Sequence, residues 1–287
     1  MPDVRVAGIM SKPGIPHAQA LVTELVAWLQ AHNIEVRLDE ETAHYLDRAD
    51  ALPREHVPDG TQLVIVLGGD GTLLSAARAV AGRVIPLFPV NLGGLGFLTA
   101  ITLEQLYQEL EKALDGRQRV VPRRMLHGDV VREGKIVQSY EALNDVVIAK
   151  TQIARMIDLE THVDQQYIST FKADGLIVST PTGSTAYSLS AGGPIVYPAV
   201  AALCITPVCP HMLTNRPVIV PDNMTIKIIC LAGDDEAFLT VDGQVGVPLM
   251  HEDQVIVKSS KHSVHLVRPP KMFFFDVLRQ KLKWGER

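Results

Sequence analysis

A run of five apolar residues that ends in a glycine-rich turn limits the possible folds more than any other segment. Residues 63–67 are all Leu, Val or Ile, and Gly68-Gly69-Asp70-Gly71-Thr72 follows them directly. Such an uninterrupted run is typical of a strand that is buried on both faces of a parallel sheet. Residues 73–80 have helical periodicity, so the segment predicts a strand, a tight turn and a helix.

The composition of this turn favours the binding of phosphate. Glycines let backbone N–H groups approach an anion closely, Thr72 can cap the helix, and a helix N terminus attracts negative charge. No Gly-Lys-Ser/Thr follows, as a Walker A loop would require, and the spacing does not match Gly-x-Gly-x-x-Gly. We therefore predict a phosphate-binding loop of a different kind, formed by Gly68, Gly69, Gly71 and Thr72.

Asp70 is the unusual residue of this loop, because phosphate repels a carboxylate. The conflict disappears if the carboxylate binds a metal ion or accepts a proton from a hydroxyl group. The alternative is an aspartate that serves only a tight turn. The two preceding glycines and the position between a strand and a helix favour a catalytic role.

The chain divides into two regions of different pattern. Residues 4–9, 35–38 and 84–90 read as further strands, and Leu21, Leu25, Trp28 and Leu29 have helical spacing, so the first third is predicted to be α/β. From Arg119 onwards the apolar segments are short, β-branched and separated by turns, which predicts an all-β region. The predicted strands of this region are residues 119–131, 135–140, 145–149, 157–163, 176–180, 218–220, 225–231, 237–241 and 254–257. We expect an α/β domain of residues 1–121 that is completed by the apolar tail 269–287, and a β-rich domain of residues 122–268.

Two further groups of polar residues are candidates for a ligand site in the β-rich region. Residues 181–194 follow an apolar strand and are dense in Ser, Thr and Gly, which suits hydrogen bonds to ribose and pyrophosphate, and Tyr187 offers a stacking face. Asn144-Asp145 and Lys172-Ala173-Asp174 lie next to predicted strands, where carboxylates can accept hydrogen bonds from ribose hydroxyls. Taken alone, these segments could equally be a polar loop and turn residues.

Composition excludes several classes of protein. The net charge is −5 and no Lys/Arg-rich run is present, so we expect no nucleic-acid partner. No apolar run approaches the roughly 20 residues of a membrane span, and the N-terminal segment does not match a signal peptide, so we expect a cytoplasmic protein without a membrane partner. The ten histidines lack metal-ligand spacing, and the three cysteines are expected to be buried thiols.

In this order, the motifs resemble those of the NAD kinase family. The resemblance rests on Gly68-Gly69-Asp70-Gly71-Thr72, residues 91–97, Asn144-Asp145, residues 174–194 and Val241-Asp242-Gly243-Gln244. The first turn alone also resembles phosphofructokinases and lipid kinases, whereas the long central block is more specific. The resemblance implies the NAD kinase/diacylglycerol kinase-like fold, with an α/β N-terminal domain, an all-β sandwich-like C-terminal domain and a site in the crevice between them.

The resemblance also implies a reaction and an assembly. The reaction is transfer of the γ-phosphoryl group of ATP to the adenosine 2′-hydroxyl of NAD, which gives NADP. Mg²⁺ would accompany ATP, and no metal site would be formed by protein ligands alone. The implied assembly is a homotetramer, or at least a homodimer, in which a neighbouring subunit borders the site.

Carried over position by position, the resemblance assigns roles to individual residues. Asp70 looks like the proton acceptor, with Gly71 beside it, and both look like NAD-binding positions. Asn144 and Asp145 look like dinucleotide ligands, although many relatives have Glu in place of Asp145. A charged residue at Lys172 resembles members that prefer NAD over NADH. The remaining implied NAD-binding positions are Arg155, Lys172, Asp174, Thr185, Ala186, Tyr187, Ser188, Leu189, Ser190 and Gln244.

Two rival functions use the same motifs. One is a lipid or sugar-phosphate kinase of related fold, although a lipid kinase would need an apolar entrance and the central loop here is rich in hydroxyls. The other is a non-catalytic dinucleotide sensor, which would keep the binding loops without needing Asp70.

Overall fold

The computed structural model describes residues 4–15, 18–94, 96–99, 101–151, 155–233, 236–270 and 273–284. Leu95 of the glycine-rich segment 91–97, and Lys271 and Met272 of the tail, lie outside these residues. The chain forms two compact units, residues 1–122 with 264–287 and residues 123–263. The second border lies before the expected residue 269, because His265 and Leu266 pair with strand residues of the first unit.

The first unit alternates strands and helices, as its sequence pattern predicts. Two short elements, α2 and a 3-10 helix at Arg54–His56, lie in a stretch that the sequence marks only as polar. The elements are β1 (Val6–Ser11), α1 (Ala18–Ala31), β2 (Glu35–Leu38), α2 (Glu40–His44), β3 (Leu63–Gly68), α3 (Asp70–Ala79), β4 (Pro86–Asn91), β5 (Ile101–Thr102) and α4 (Leu106–Leu114), with a 3-10 helix at Leu103–Gln105 before α4.

The strands of this unit form a parallel sheet. Its order is β2-β1-β3-β4, and both β5 and the end of β17 (Gln254–Arg268) pair with β4 in parallel. All six residues of β3 and of β4 are buried, as expected for strands covered on both faces. The last helix, α6 (Phe274–Leu282), belongs to this unit, and Val277 and Leu278 are its buried residues.

The second unit is built from antiparallel strands. The sequence pattern located most of them but did not identify β10, β12 or β16. Its elements include β6 (Arg119–Arg132), which begins in the first unit, and α5 (Tyr187–Ser190), together with β7 (Lys135–Ala142), β8 (Asp145–Lys150), β9 (Ile157–Val163), β10 (Gln166–Ala173), β11 (Gly175–Ser179), β12 (Ala202–Val208), β13 (Val218–Pro221), β14 (Ile226–Cys230), β15 (Ala237–Val241) and β16 (Val245–Leu249).

These strands form a β-sandwich. One sheet has six strands in the order β13-β12-β11-β8-β15-β16. The other layer contains β10-β9-β14-β17 and the β6-β7 hairpin. Apolar residues of both layers, such as Ile148 and Leu203 in the first and Leu159 and Ile228 in the second, share one buried cluster. An α/β unit followed by a β-sandwich is the expected fold class, which is confirmed.

Three local expectations were wrong. Helix α3 begins at Asp70, so its N-cap is Gly69 and Thr72 lies within the first turn instead of capping the helix. The segment 181–194 is not only a loop, because it contains a 3-10 helix at Gly183–Thr185 and then α5. Cys209 is exposed, whereas the other two cysteines are buried as expected.

Candidate active site

Asp70 occupies the first turn of α3, and its carboxylate is surrounded by donors from one short segment. Oδ2 accepts the backbone N–H of Phe97 at 2.9 Å. Oδ1 accepts the N–H groups of Leu98 at 3.2 Å and Thr99 at 3.1 Å, and the Thr99 hydroxyl at 3.0 Å. Each carboxylate oxygen has two lone pairs, so Oδ2 retains a position for a further hydrogen bond.

The segment can approach Asp70 this closely because residue 96 is glycine. A Cβ atom at Gly96 would lie 2.2 Å from Oδ1 of Asp70 and 2.2 Å from Oγ1 of Thr99. No side chain fits in that space, so the close contact between carboxylate and backbone depends on Gly96.

A cavity of about 260 Å³ opens beside this turn, in the first unit. It is bordered by the segments that follow β1, β3 and β4, whose carboxyl ends lie at one edge of the parallel sheet, the usual place for ligands in open α/β sheets. Lys12 supplies the only cation among the described lining residues. The lining consists of Lys12, Gly14, Ile15, Gly68, Gly69, Asn91, Leu92, Gly93 and Gly94.

The glycines of this cavity leave room for a ligand. A Cβ atom at Gly69, Gly93 or Gly94 would meet no described atom within 4 Å. The Gly93 loop is held by Asn91, whose Oδ1 accepts the N–H of Gly93 at 2.8 Å and whose Nδ2 donates to the Gly94 carbonyl at 3.0 Å. With the N terminus of α3 at one wall, the cavity has the chemistry of an anion site.

In the second unit, Asp242 organises the start of β8. Its carboxylate accepts the backbone N–H groups of Leu143 at 3.1 Å, Asn144 at 2.8 Å and Asp145 at 3.2 Å. Asp242 and Gly243 both have positive φ, which makes the tight turn between β15 and β16. This turn therefore fixes the backbone of the two residues that the sequence analysis selected at 144 and 145.

The Asp145 carboxyl is buried beside that second carboxylate. Burial raises the pKa of Asp145, and the charge of Asp242 raises it further, to about 7. Among titratable groups in a site, a strongly shifted carboxyl is a candidate for function.

Unpaired polar atoms lie around this point. Within the described part of the chain, Asn144 Oδ1, Ser179 Oγ and Thr182 Oγ1 are buried and have no hydrogen-bond partner. Ser179 is paired with Asp145 across β11 and β8. Buried polar atoms without partners are costly, so their concentration here indicates a polar ligand or water.

The segment that follows β11 is tied to the same sheet edge. Thr180 N–H donates to the Asn144 carbonyl at 2.9 Å, and the Thr180 hydroxyl donates to the Leu143 carbonyl at 2.7 Å. In α5, Ser188 is buried and its hydroxyl pairs with that of Thr206 at 3.0 Å, whereas Tyr187 is half-exposed. The structure thus brings Asn144 and Asp145 together with Thr180, with Gly183 and with the turn at Asp242, which Gln244 follows. The 3-10 helix and α5 that continue from Gly183 contain Thr185, Tyr187, Ser188, Leu189 and Ser190, with Ala186 between the two helices.

The other predicted NAD-binding residues lie at the opposite end of the same strands. Asp174 pairs with Lys150 at 2.5 Å, at the far end of β8 from Asp145. Arg155 lies 3.7 Å from Glu236 and its side chain is 76% exposed. Lys172, two residues before Asp174 on β10, is also exposed. At 3.3 Å per residue, the length of β11 separates Asp174 from Ser179 by about 17 Å.

Several residues of these sites were not predicted from the sequence. Lys12 was assigned no role, although a lysine directly after a buried strand is a usable signal in an α/β unit. Asp242 was predicted only as part of the motif 241–244, without a function, and the contacts of Phe97, Leu98 and Thr99 with Asp70 were not predicted. Those contacts join residues 27 to 29 positions apart, which no local pattern shows.

Comparisons with known proteins agree with this fold. Residues 7–118 match the ATP-NAD kinase N-terminal domain, and residues 143–269 match the ATP-NAD kinase C-terminal domain. The NAD kinase of Solibacter usitatus is 58% identical over 287 residues, 100% of both chains. The NAD kinase of Koribacter versatilis is 46% identical over 285 residues, 99% of this chain and 100% of that one.

Solved structures give the same result. The yeast NADH kinase complexed with NADH has a TM-score of 0.89 at 25% identity, covering 100% of this chain and 90% of that one. An NAD kinase from Archaeoglobus fulgidus in complex with ATP has a TM-score of 0.77 at 25% identity, covering 97% and 98%.

Together with these matches, a glycine-lined cavity with the chemistry of an anion site, on an α/β unit followed by a β-sandwich, defines a nucleotide phosphotransferase. Both halves of that fold match one family over most of the chain. The chain belongs to the NAD kinase family, and its activity is ATP-dependent phosphorylation of NAD. A lipid or sugar-phosphate kinase and a non-catalytic sensor are not favoured.

Proposed function

We propose that Asp70 accepts the proton of the adenosine 2′-hydroxyl of NAD while that oxygen attacks the γ-phosphorus of ATP. The observation that carries this role is the hydrogen bonding of the carboxylate. Three donors hold Oδ1, while Oδ2 has one donor among the described residues and a remaining lone pair for the hydroxyl. Phosphoryl transfer requires in-line positioning and charge neutralisation more than covalent catalysis, so Asp70 orients the hydroxyl and takes its proton late in the transfer.

The phosphates of ATP would occupy the cavity of about 260 Å³ beside this turn. Gly68 and Gly69 form one wall, and the N terminus of α3, with Gly71 and Thr72 in its first turn, favours negative charge there. The exposed Lys12 would neutralise part of the phosphate charge from the end of β1.

Magnesium enters this proposal as part of the substrate. Among the described residues, no group of three or more His, Cys, Asp or Glu side chains could hold a metal ion. Phosphate oxygens of ATP are donors that suit Mg²⁺, and an ion bound to them would neutralise part of their charge. The protein residues would bind and orient that complex.

For the dinucleotide, we propose the cluster at the edge of the six-stranded sheet. The unpaired Oδ1 of Asn144 and the carboxyl of Asp145 suit ribose hydroxyls, and the half-exposed Tyr187 suits a stacked ring. Thr185, Ala186, Ser188, Leu189, Ser190 and Gln244 would complete this surface.

Arg155, Lys172 and Asp174 would serve the site of a neighbouring subunit. Asp174 lies at the other end of β11, about 17 Å from Ser179, and Lys172 is two residues before it, so this group and the Asn144 cluster would contact different parts of a bound dinucleotide. This separation supports a homotetramer in which subunits complete one another's sites. The cytoplasm is the proposed location, and Lys172 supports a preference for NAD over NADH, which comparable catalytic efficiency with NADH would contradict.

The direct test is incubation of the protein with ATP, magnesium and NAD, followed by an NADP-specific assay. Asp70→Asn is expected to lower turnover about a hundredfold or more, within the range of positioned proton transfer, while NAD still binds by calorimetry. Asp115→Asn, which changes an exposed aspartate at the end of α4, is the matched control and should keep normal turnover. Near-normal turnover of Asp70→Asn would refute the role of Asp70.

A further inference from the structure

A buried arginine lies behind the segment that holds Asp70. Arg268 is the last residue of β17 and is only 7% exposed. Its Nη2 donates to the carbonyl oxygen of Phe97 at 3.0 Å. Its Nε is buried and has no hydrogen-bond partner in the part of the chain that the structure describes. Burying a guanidinium is costly unless a nearby charge or hydrogen bonds compensate it.

The negative charge of Asp70 compensates part of this cost. Burial lowers the pKa of Arg268, the negative charge of Asp70 raises it, and the positive charge of Arg119 lowers it again. An arginine remains protonated in proteins, so this buried cation is permanent. The attraction is mutual, and the carboxylate of Asp70 therefore has a fixed positive charge near it.

Phe97 links the two charged groups. Its N–H donates to Asp70 and its carbonyl accepts from Arg268, so the backbone of one residue is held from both sides. The ring of Phe97 also has a cation–π contact, because Nζ of Lys281 lies 5.9 Å from its centroid. Loss of the Arg268 contact would release the carbonyl and loosen the donors of Asp70.

We propose that Arg268 is a positioning residue for phosphoryl transfer, which holds residues 97–99 against the Asp70 carboxylate and supplies a permanent positive charge behind it. This inference rests on the role proposed for Asp70. It assigns to the end of β17 a part in the reaction, instead of a part in the core alone.

Arg268→Met and Arg268→Lys test the proposal. The Met variant keeps the volume of the stem but removes the charge and the donors, and kcat is expected to fall about tenfold or more while KM for NAD and for ATP changes less than about threefold. Lys restores the charge without the planar fork, so its kcat should lie between those of Met and the unchanged protein. Circular dichroism checks whether the Met variant folds. If it does not, the Lys variant provides the test, and the proposal predicts a lowered kcat at unchanged KM.

A double-mutant cycle separates action through Asp70 from a general effect. If Arg268 acts by positioning Asp70, adding Arg268→Met to the Asp70→Asn variant should have little further effect. The kcat of the double variant should be less than about threefold below that of Asp70→Asn alone. Losses that multiply, or a normal kcat in both Arg268 variants, would overturn the inference. Normal turnover of Asp70→Asn alone would instead refute the proposed function.

Arg132→Met is the matched control. Arg132 also pairs with a buried group, since its Nε donates to Asp253 at 2.9 Å, but it belongs to the second unit, and Asp253 lies outside both candidate sites. Its loss should lower the melting temperature and leave kcat unchanged. An equal fall of kcat in Arg132→Met and Arg268→Met would show a general loss of stability and would count against the proposal.

Discussion

Asp70 and Asp145 are carboxylates with opposite surroundings. Asp70 accepts hydrogen bonds from three backbone amides and one hydroxyl. Asp145 instead lies beside the carboxylate of Asp242, and that carboxylate accepts the backbone N–H groups at the start of β8. Asp70 thus keeps a lone pair on Oδ2 for one further hydrogen bond, whereas Asp145 changes its charge near neutral pH because its pKa is raised to about 7.

The raised pKa of Asp145 predicts how stability depends on pH. The folded protein binds a proton at Asp145 up to about pH 7, whereas the unfolded chain releases it near pH 4. The contribution to the free energy of unfolding is therefore present at low pH and is lost as pH rises through about 7. Melting temperatures measured between pH 5 and pH 8 should fall less steeply with pH in Asp145→Asn than in the unchanged protein, and parallel curves would contradict the prediction.

At the scale of elements, two glycines of the turn between β3 and α3 have different roles, one in folding and one in leaving space for a ligand. A Cβ atom at Gly68 would lie 2.3 Å from Oγ1 of Thr72, whereas one at Gly69 would meet no described atom within 4 Å. Gly68 therefore permits the turn, and Gly69 leaves space in the cavity.

The pair Gly68→Ala and Gly69→Ala tests this separation. Gly68→Ala should lower the melting temperature because the Thr72 side chain must move, with a cost of about 1–3 kcal/mol for overpacking. Gly69→Ala should melt within a few degrees of the unchanged protein but raise KM for ATP about tenfold, because its methyl group would enter the phosphate space. Unchanged KM in a folded Gly69→Ala variant would show that the phosphates bind elsewhere.

The same elements show what the sequence could and could not predict. The β3 turn and the apolar strands were predictable because their patterns are local. Strands β12 and β16 were not identified, and each contains a proline that interrupts the strand pattern, Pro207 and Pro248. The middle of strand β17 consists of polar residues and lacks the alternation of apolar and polar side chains that predicts a strand. This strand depends on pairing with several neighbouring strands.

In the site, too, only local patterns could be predicted. Asp70 was predictable from its turn, but its hydrogen bonds with Phe97, Leu98 and Thr99 depend on tertiary folding. The same holds for the hydrogen bonds of Asp242 with the backbone of residues 143–145, which lie almost 100 positions earlier in the chain. Lys12 and Arg268 likewise have no motif of their own. The chemistry of the loops could therefore be predicted from the sequence, whereas the residues that hold those loops in place could not.

At the scale of the molecule, the separation of Asp174 from Asn144 predicts complementation between subunits. Asp174→Asn removes a partly exposed ion pair with Lys150, so its effect on folding should be small. If Asp174 serves a neighbour, unfolding and refolding a mixture of Asp70→Asn and Asp174→Asn chains should give more activity than either variant alone. Light scattering should then give about four times the chain mass of 31.4 kDa.

A mixture of Asp174→Asn and Arg155→Ala chains is the control. Both changes affect the same end of the strands, so no combination of these subunits restores that group and activity should not recover. Equal recovery in the two mixtures, or a monomeric mass, would contradict the shared site.

The first unit is assembled from two distant stretches of chain, residues 1–122 and 264–287. Translation proceeds from the N terminus, so the ribosome adds Asp70 and its donor segment long before Arg268. Until residue 268 has been added, the nascent polypeptide carries the carboxylate without its buried countercharge. A polypeptide that ends before residue 268 would therefore hold the carboxylate of Asp70 without the arginine behind it, even when every glycine of the turn at 68–71 is present.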